Sequence, residues 1–111
     1  MNQPAKVVSA PSEAADLLAQ CAEAVAAARG LFAAARAGLA AKLSSGGKIS
    51  NKALENDQFA AHALAWTATY VESLIQLAHW AEGLRAAGAL GETERLILAI
   101  GFGEYLSQLR G

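Results

Sequence analysis

The stretch NKALENDQFAAHALAWTATYVESLIQLAHWAEGLRAA, residues 51–87, decides the fold. Only Gly83 interrupts its helical pattern, and its apolar residues fall into two stripes at helical spacing. One stripe holds Leu64, Val71, Leu74, Ala78 and Ala81; the other holds Phe59, Trp66, Tyr70, Leu77, Trp80 and Leu84. Glu72, Gln76, His79 and Glu82 form one narrow polar strip. A helix that is apolar over most of its circumference has neighbours on at least two sides. At 1.5 Å per residue it runs about 55 Å, and it is expected to be the central element of an all-α fold. Ser50 is the expected N-cap, with Ile49 and Leu54 at the offsets of a hydrophobic staple.

Working outward, Leu18, Cys21, Val25, Ala28, Phe32, Ala35 and Leu39 alternate spacings of three and four, which predicts a first helix over about 12–43. Pro4 and Pro11 suggest that residues 1–10 are a flexible arm, with Ser9 or Ser12 capping the helix and Glu13 and Asp16 complementing its dipole. Gly30 and Gly38 weaken that helix unless it bends or another backbone lies close. Ser44-Ser45-Gly46-Gly47 ends it as a helix–helix turn. Gly88 and Gly91 bracket a second turn, and a third helix follows over about 92–109, with Glu92 and Glu94 at its start and Arg110 at its end. From Leu96 to Gly103 no residue is polar, and Gly101 and Gly103 call for something packed tightly beside them.

Composition sharpens this. The 111 residues suit one domain, and 28 of them are alanine. A buried alanine methyl contributes ~0.8 kcal/mol against ~1.5–3 kcal/mol for a leucine or phenylalanine. Such a core is thin, while the third helix carries more apolar surface than two helical neighbours can cover. An incomplete three-helix bundle that packs on further protein is therefore expected. The net charge of −1 argues against nucleic acid or an anionic membrane as partner. The longest uncharged run, residues 58–71, is 14 long, below the roughly 20 needed to span a bilayer, so no membrane insertion is expected. A lone Cys21 rules out an internal disulfide and fits a reduced, cytoplasmic setting.

Chemistry is sparse. His62 and His79 lie 17 residues apart on different helix faces, with Phe59 and Gln76 three positions before them where a Glu-x-x-His metal pair needs carboxylates. Cys21 falls on an apolar face without a basic neighbour, the setting of a structural thiol. Trp66, Tyr70 and Trp80 could stack a ligand, but aromatics at helical spacing are more often core. Ser44-Ser45-Gly46-Gly47-Lys48 lacks both the strand and the spacing of a phosphate loop. No catalytic, cofactor-binding or metal-binding residue is assigned.

Residues 56–74, NDQFAAHALAWTATYVESL, followed by Trp80-Ala81-Glu82 and by Ile100-Gly101-Phe102-Gly103-Glu104-Tyr105-Leu106, resemble the helical N-terminal extension of flavin-dependent acyl-CoA dehydrogenases of the (2S)-methylsuccinyl-CoA type. The resemblance covers residues 50–111. It implies an FAD-bound oxidoreductase that converts an acyl-CoA to its enoyl-CoA, a glutamate removing the α-proton as hydride passes to flavin. The glutamate, the flavin domain and the acyl-CoA pocket would all lie beyond Gly111, so the chain is expected to be a fragment with a structural role. Its partner would be the remainder of the dehydrogenase chain, or a second copy in a homo-oligomer. Ile97, Ile100, Phe102, Tyr105 and Leu109 are the expected contact residues, with Trp66 and Trp80 anchoring the central helix. The rival reading is a stand-alone helical module that homodimerises through the same faces and has no enzymatic activity.

Overall fold

The computed structural model describes residues 4–45 and 47–111; the side chains at positions 4–12, 45 and 49 stand outside that description. In chain order the elements are α1 (Pro4–Leu43), β1 (Ser44–Ser45), β2 (Lys48–Ile49), α2 (Asn51–Asn56), α3 (Gln58–Ala86) and α4 (Glu92–Arg110). The fold is all-α, its strands being a two-residue antiparallel ladder that pairs Ser44 with Ile49 and Ser45 with Lys48. Gly47 turns that ladder at φ +83°, a conformation that suits glycine. The expected helix–helix turn is thus a miniature hairpin.

Two expected boundaries differ. The first helix starts at Pro4, so residues 4–10, read as an arm, are helical, and neither Ser9 nor Ser12 is a cap. Pro4 suits a first helical position because its missing N–H would have no partner there. Extending an existing helix through Ala5, Lys6 and Ala10 avoids the cost of nucleation, so Pro11 removes one hydrogen bond without ending the helix. The central helix is interrupted at Asp57 (φ −118°, ψ 35°). There the Asp57 N–H donates to both Ala53 O and Leu54 O, and Asp57 O accepts from Ala61 N to restart the helix. The Asp57 carboxylate reaches Lys42 Nζ at 2.8 Å, which ties the junction to the end of α1.

Other local signals hold. Ser50 Oγ accepts from Ala53 N–H at 3.3 Å as N-cap of α2; the expected staple involves the Ile49 side chain, which lies outside the described residues. After α3, Ala89 N donates to Leu84 O and Gly88 N to Arg85 O, with Gly88 at φ +71°. This is a Schellman closure of the helix. Glu92 and Glu94 occupy the first turn of α4 and Arg110 its last.

The helices α1, α3 and α4 meet around one cluster: Leu18, Cys21 and Ala28 from α1, Val71, Leu74 and Ala81 from α3, and Leu98 and Phe102 from α4. The molecule is a rod, 70 × 21 × 18 Å, with a radius of gyration of 19.0 Å, against about 13 Å for a compact domain of this size. It exposes 7612 Å², where a compact monomer of its mass would expose about 5,800 Å². The thin core expected from the alanine content is what these dimensions describe. By length and composition alone, the part of α1 from Glu13 to Leu43 could cross a membrane; in the fold it packs along α3 and α4 through Leu18, Cys21 and Ala28.

Candidate functional site

Helix α4 has an inner and an outer apolar face. Leu98 and Phe102 are buried in the core, and Tyr105 and Leu109 pack partly buried against it. Leu96, Ile97 and Ile100 point outward, with Ile100 71% exposed, while Leu106 borders a groove against Ala28 and Leu31 of α1. A helix presenting apolar residues on both sides through two turns has room for a neighbour that three helices do not supply. The seven residues expected at a contact are therefore divided. Ile97, Ile100, Trp66 and Trp80 are exposed, Tyr105 and Leu109 are half-buried, and Phe102 belongs to the bundle's own interior. Phe102 cannot reach an outside partner because Leu98 and Phe102, four apart, form the face that α4 turns to α1 and α3.

Between α3 and α4, on the side without α1 residues, runs an open groove of about 560 Å³. Ser73, Gln76 and Leu77 line it from α3, and Ile97, Ile100 and Gly101 from α4, with Tyr105 at one end. Gly101 makes this geometry. A Cβ there would sit 2.7 Å from Leu77 Cδ1, so the bare backbone of α4 accepts the Leu77 side chain. The close packing expected beside Gly101 is present, whereas at Gly103, Gly30 and Gly38 an added Cβ would meet nothing within 4 Å.

An aromatic ladder borders the groove. Trp66 Nε1–H donates to His62 Nε2 at 2.8 Å. That bond requires a neutral imidazole protonated on Nδ1. The His62 and Trp66 rings meet edge to face with centroids 6.1 Å apart, and Trp66 stacks on Tyr70 at 6.0 Å. Tyr70 in turn meets Tyr105 of α4 at 6.0 Å. Past the end of α4 the α3 stripe continues bare, with Phe59 94% exposed beside a second open groove lined by Leu54, Gln58, Phe59, Ala61 and His62. Among the described residues, the two grooves touching the ladder are open rather than enclosed, unlike the pockets that usually hold small molecules.

Ionisable groups add little chemistry. Cys21 is buried, and loss of solvation pushes its thiol pKa up, away from a reactive thiolate. Among the described residues no three His, Cys, Asp or Glu side chains converge on one point, so neither His62 nor His79 sits in a metal-ligating cluster. Glu82–Arg85 and Glu72–Gln76 are pairs within α3, one helical turn apart. What the arrangement does present is exposed apolar surface on α3 and α4.

Sequence reasoning missed Leu96 and Phe59 as exposed surface and Leu77 as the floor of the groove. The four-residue spacing of His62, Trp66 and Tyr70 was a readable sign of the ladder, but its continuation to Tyr105 depends on how α4 docks.

No protein-family model matches the chain. The chain is 53% identical over 96 residues to (2S)-methylsuccinyl-CoA dehydrogenase of Cereibacter sphaeroides, a match over 86% of this chain. Residues 50–111 number 62, so at least 34 matched residues precede Ser50, and the likeness takes in part of α1 as well. This chain spans only 18% of the length of that dehydrogenase. The resemblance read from the central and last helices is thus borne out, as similarity to a small part of an acyl-CoA dehydrogenase.

Proposed function

We propose that this chain is a non-catalytic, N-terminal helical part of a flavin-dependent acyl-CoA dehydrogenase, and that it packs against the rest of that enzyme. The carrying observation is the match itself: half-identical residues across most of this chain, against under a fifth of a dehydrogenase. The physical support is the outward apolar surface of α4 and the bare Phe59 and Trp66. Ile97, Ile100, Trp66 and Trp80 make the contact, with Tyr105 and Leu109 backing it from behind.

We assign no flavin to the groove between α3 and α4. The groove between α3 and α4 is open, and its polar groups are Ser73, Gln76 and Tyr105, without a cation to meet a diphosphate. FAD, the acyl-CoA and the proton-abstracting glutamate are assigned to the remainder of the enzyme, and no step of the oxidation is routed through these helices. The whole is a cytoplasmic oxidoreductase, with α1 covered by protein rather than by lipid.

The test is a chimera in which this chain replaces the matched segment of the Cereibacter sphaeroides enzyme. The chimera should assemble and oxidise its acyl-CoA, while an enzyme lacking the segment should melt lower or aggregate. If the segment-free enzyme is as stable and as active as the intact one, the reading fails. A monodisperse, cooperatively melting dimer of the isolated chain would favour the stand-alone module instead.

A further inference from the structure

Resting on that reading, we infer that the groove between α3 and α4 is the seat of a fourth helix, supplied by the remaining polypeptide of the enzyme. The three helices enclose one core, and the groove lies on the side of α3 and α4 that α1 leaves open. Its walls differ. Ile97 and Ile100 make an apolar wall, Ser73 and Gln76 a neutral polar one, and Leu77 fills the floor where Gly101 has no side chain. The fitting occupant is an amphipathic helix with an apolar ridge over Ile97, Leu77 and Ile100 and hydrogen-bonding side chains toward Ser73 and Gln76.

Three observations favour this occupant. The uncharged run of α4 from Leu96 to Gly103 spans about 12 Å, the length of two turns of a docked helix, and it turns Leu96, Ile97 and Ile100 outward. Among the described residues no charged side chain lines the groove, so seating a helix against them desolvates no ion. The surface in excess of a compact monomer, about 1,800 Å², is more than the ~800 Å² that each side of an ordinary protein interface gives up. A second copy meeting this face in a two-fold pairing would present the same concavity where a ridge is required. The related dehydrogenase has 82% of its length outside the matched part, ample chain to supply a helix.

The experiment places a photoreactive phenylalanine analogue at Ile100 of the chimera, and at Ala37, an exposed α1 position that lines none of the grooves described, as control. Irradiation should cross-link position 100, and not position 37, to a helical segment of the dehydrogenase portion. Ile97→Asp with Ile100→Asp should lower the melting temperature of the chimera by several degrees while leaving that of the isolated chain unchanged. A cross-link to α4 of a second copy, or none outside this chain, overturns the inference. An active chimera without the cross-link would sink the fourth helix alone; an intact segment-free enzyme would sink the functional reading. Should the chimera not assemble, the isolated labelled chain is mixed with the segment-free enzyme, and absence of the cross-link there also overturns the inference.

Discussion

Replacing Leu74 by alanine deletes three carbons from the point where α1, α3 and α4 meet. Leu74 is 0% exposed and shares its cluster with Leu18, Cys21, Val71, Leu98 and Phe102. At ~0.8 kcal/mol per buried carbon the transfer loss is ~2.4 kcal/mol. A residual cavity brings the expected range to ~2.5–5 kcal/mol. A chain of this length is stable by about 5–15 kcal/mol at best, and a bundle with so little core sits toward the low end. Leu74→Ala should therefore remove a large share of the stability of the isolated chain. Urea unfolding followed by circular dichroism at 222 nm should show a midpoint lowered by at least ~1 M, given a slope of ~1–3 kcal/mol/M. Ile100→Ala, truncating a residue of similar size that is 71% exposed, should cost less than ~0.5 kcal/mol. If Leu74→Ala costs under ~1 kcal/mol, or Ile100→Ala costs as much, the division of α4 into inner and outer faces is wrong.

Two glycines five residues apart should respond with opposite signs. Gly83 lies inside α3 with open space around it, so Gly83→Ala should stabilise by up to ~1 kcal/mol, whereas Gly88→Ala, at φ +71°, should destabilise by ~1–2 kcal/mol; thermal melts separate the two. Ser50→Ala should cost ~1 kcal/mol through the lost cap on Ala53 N–H, read as faster amide exchange in α2. Cys21 should react with a disulfide reagent many times more slowly in the native chain than in urea. Because burial raises its pKa, the folded state holds the proton that the unfolded state releases. Stability is thus fully present below the ordinary thiol pKa and falls as pH rises through and above it, and Cys21→Ala should flatten that fall. High salt should weaken the Lys42–Asp57 pair, a contribution of ~0.2–1 kcal/mol, detectable as a small drop in melting temperature.

Helix type and order were legible because the apolar spacing of Leu18–Cys21–Val25–Ala28 and of Leu64–Val71–Leu74–Ala81 survives any docking angle. The break at Asp57 was not, since it draws on a Lys42 distant in sequence. The beginning at Pro4 was not legible because a proline ordinarily breaks a helix, whereas Pro4 stands at a first-turn position that lacks a partner for its N–H in any case. At the candidate site, Ile97 and Ile100 were legible as surplus apolar surface in an uninterrupted run. The burial of Phe102 in the core was not legible, because that same run offers no polar residue to mark which side faces in.

The pairing of Tyr70 with Tyr105 fixes where α4 lies along α3, and α4 ends about a turn further on, at Arg110. Beyond Arg110 the rod is an antiparallel pair, closed among the described residues by a two-residue ladder and the Lys42–Asp57 ion pair. Its two ends therefore differ in cooperativity. Opening should begin at the hairpin and travel like a zip toward Tyr70, where the third strut arrests it, leaving an unzipping tip on a firmer stem.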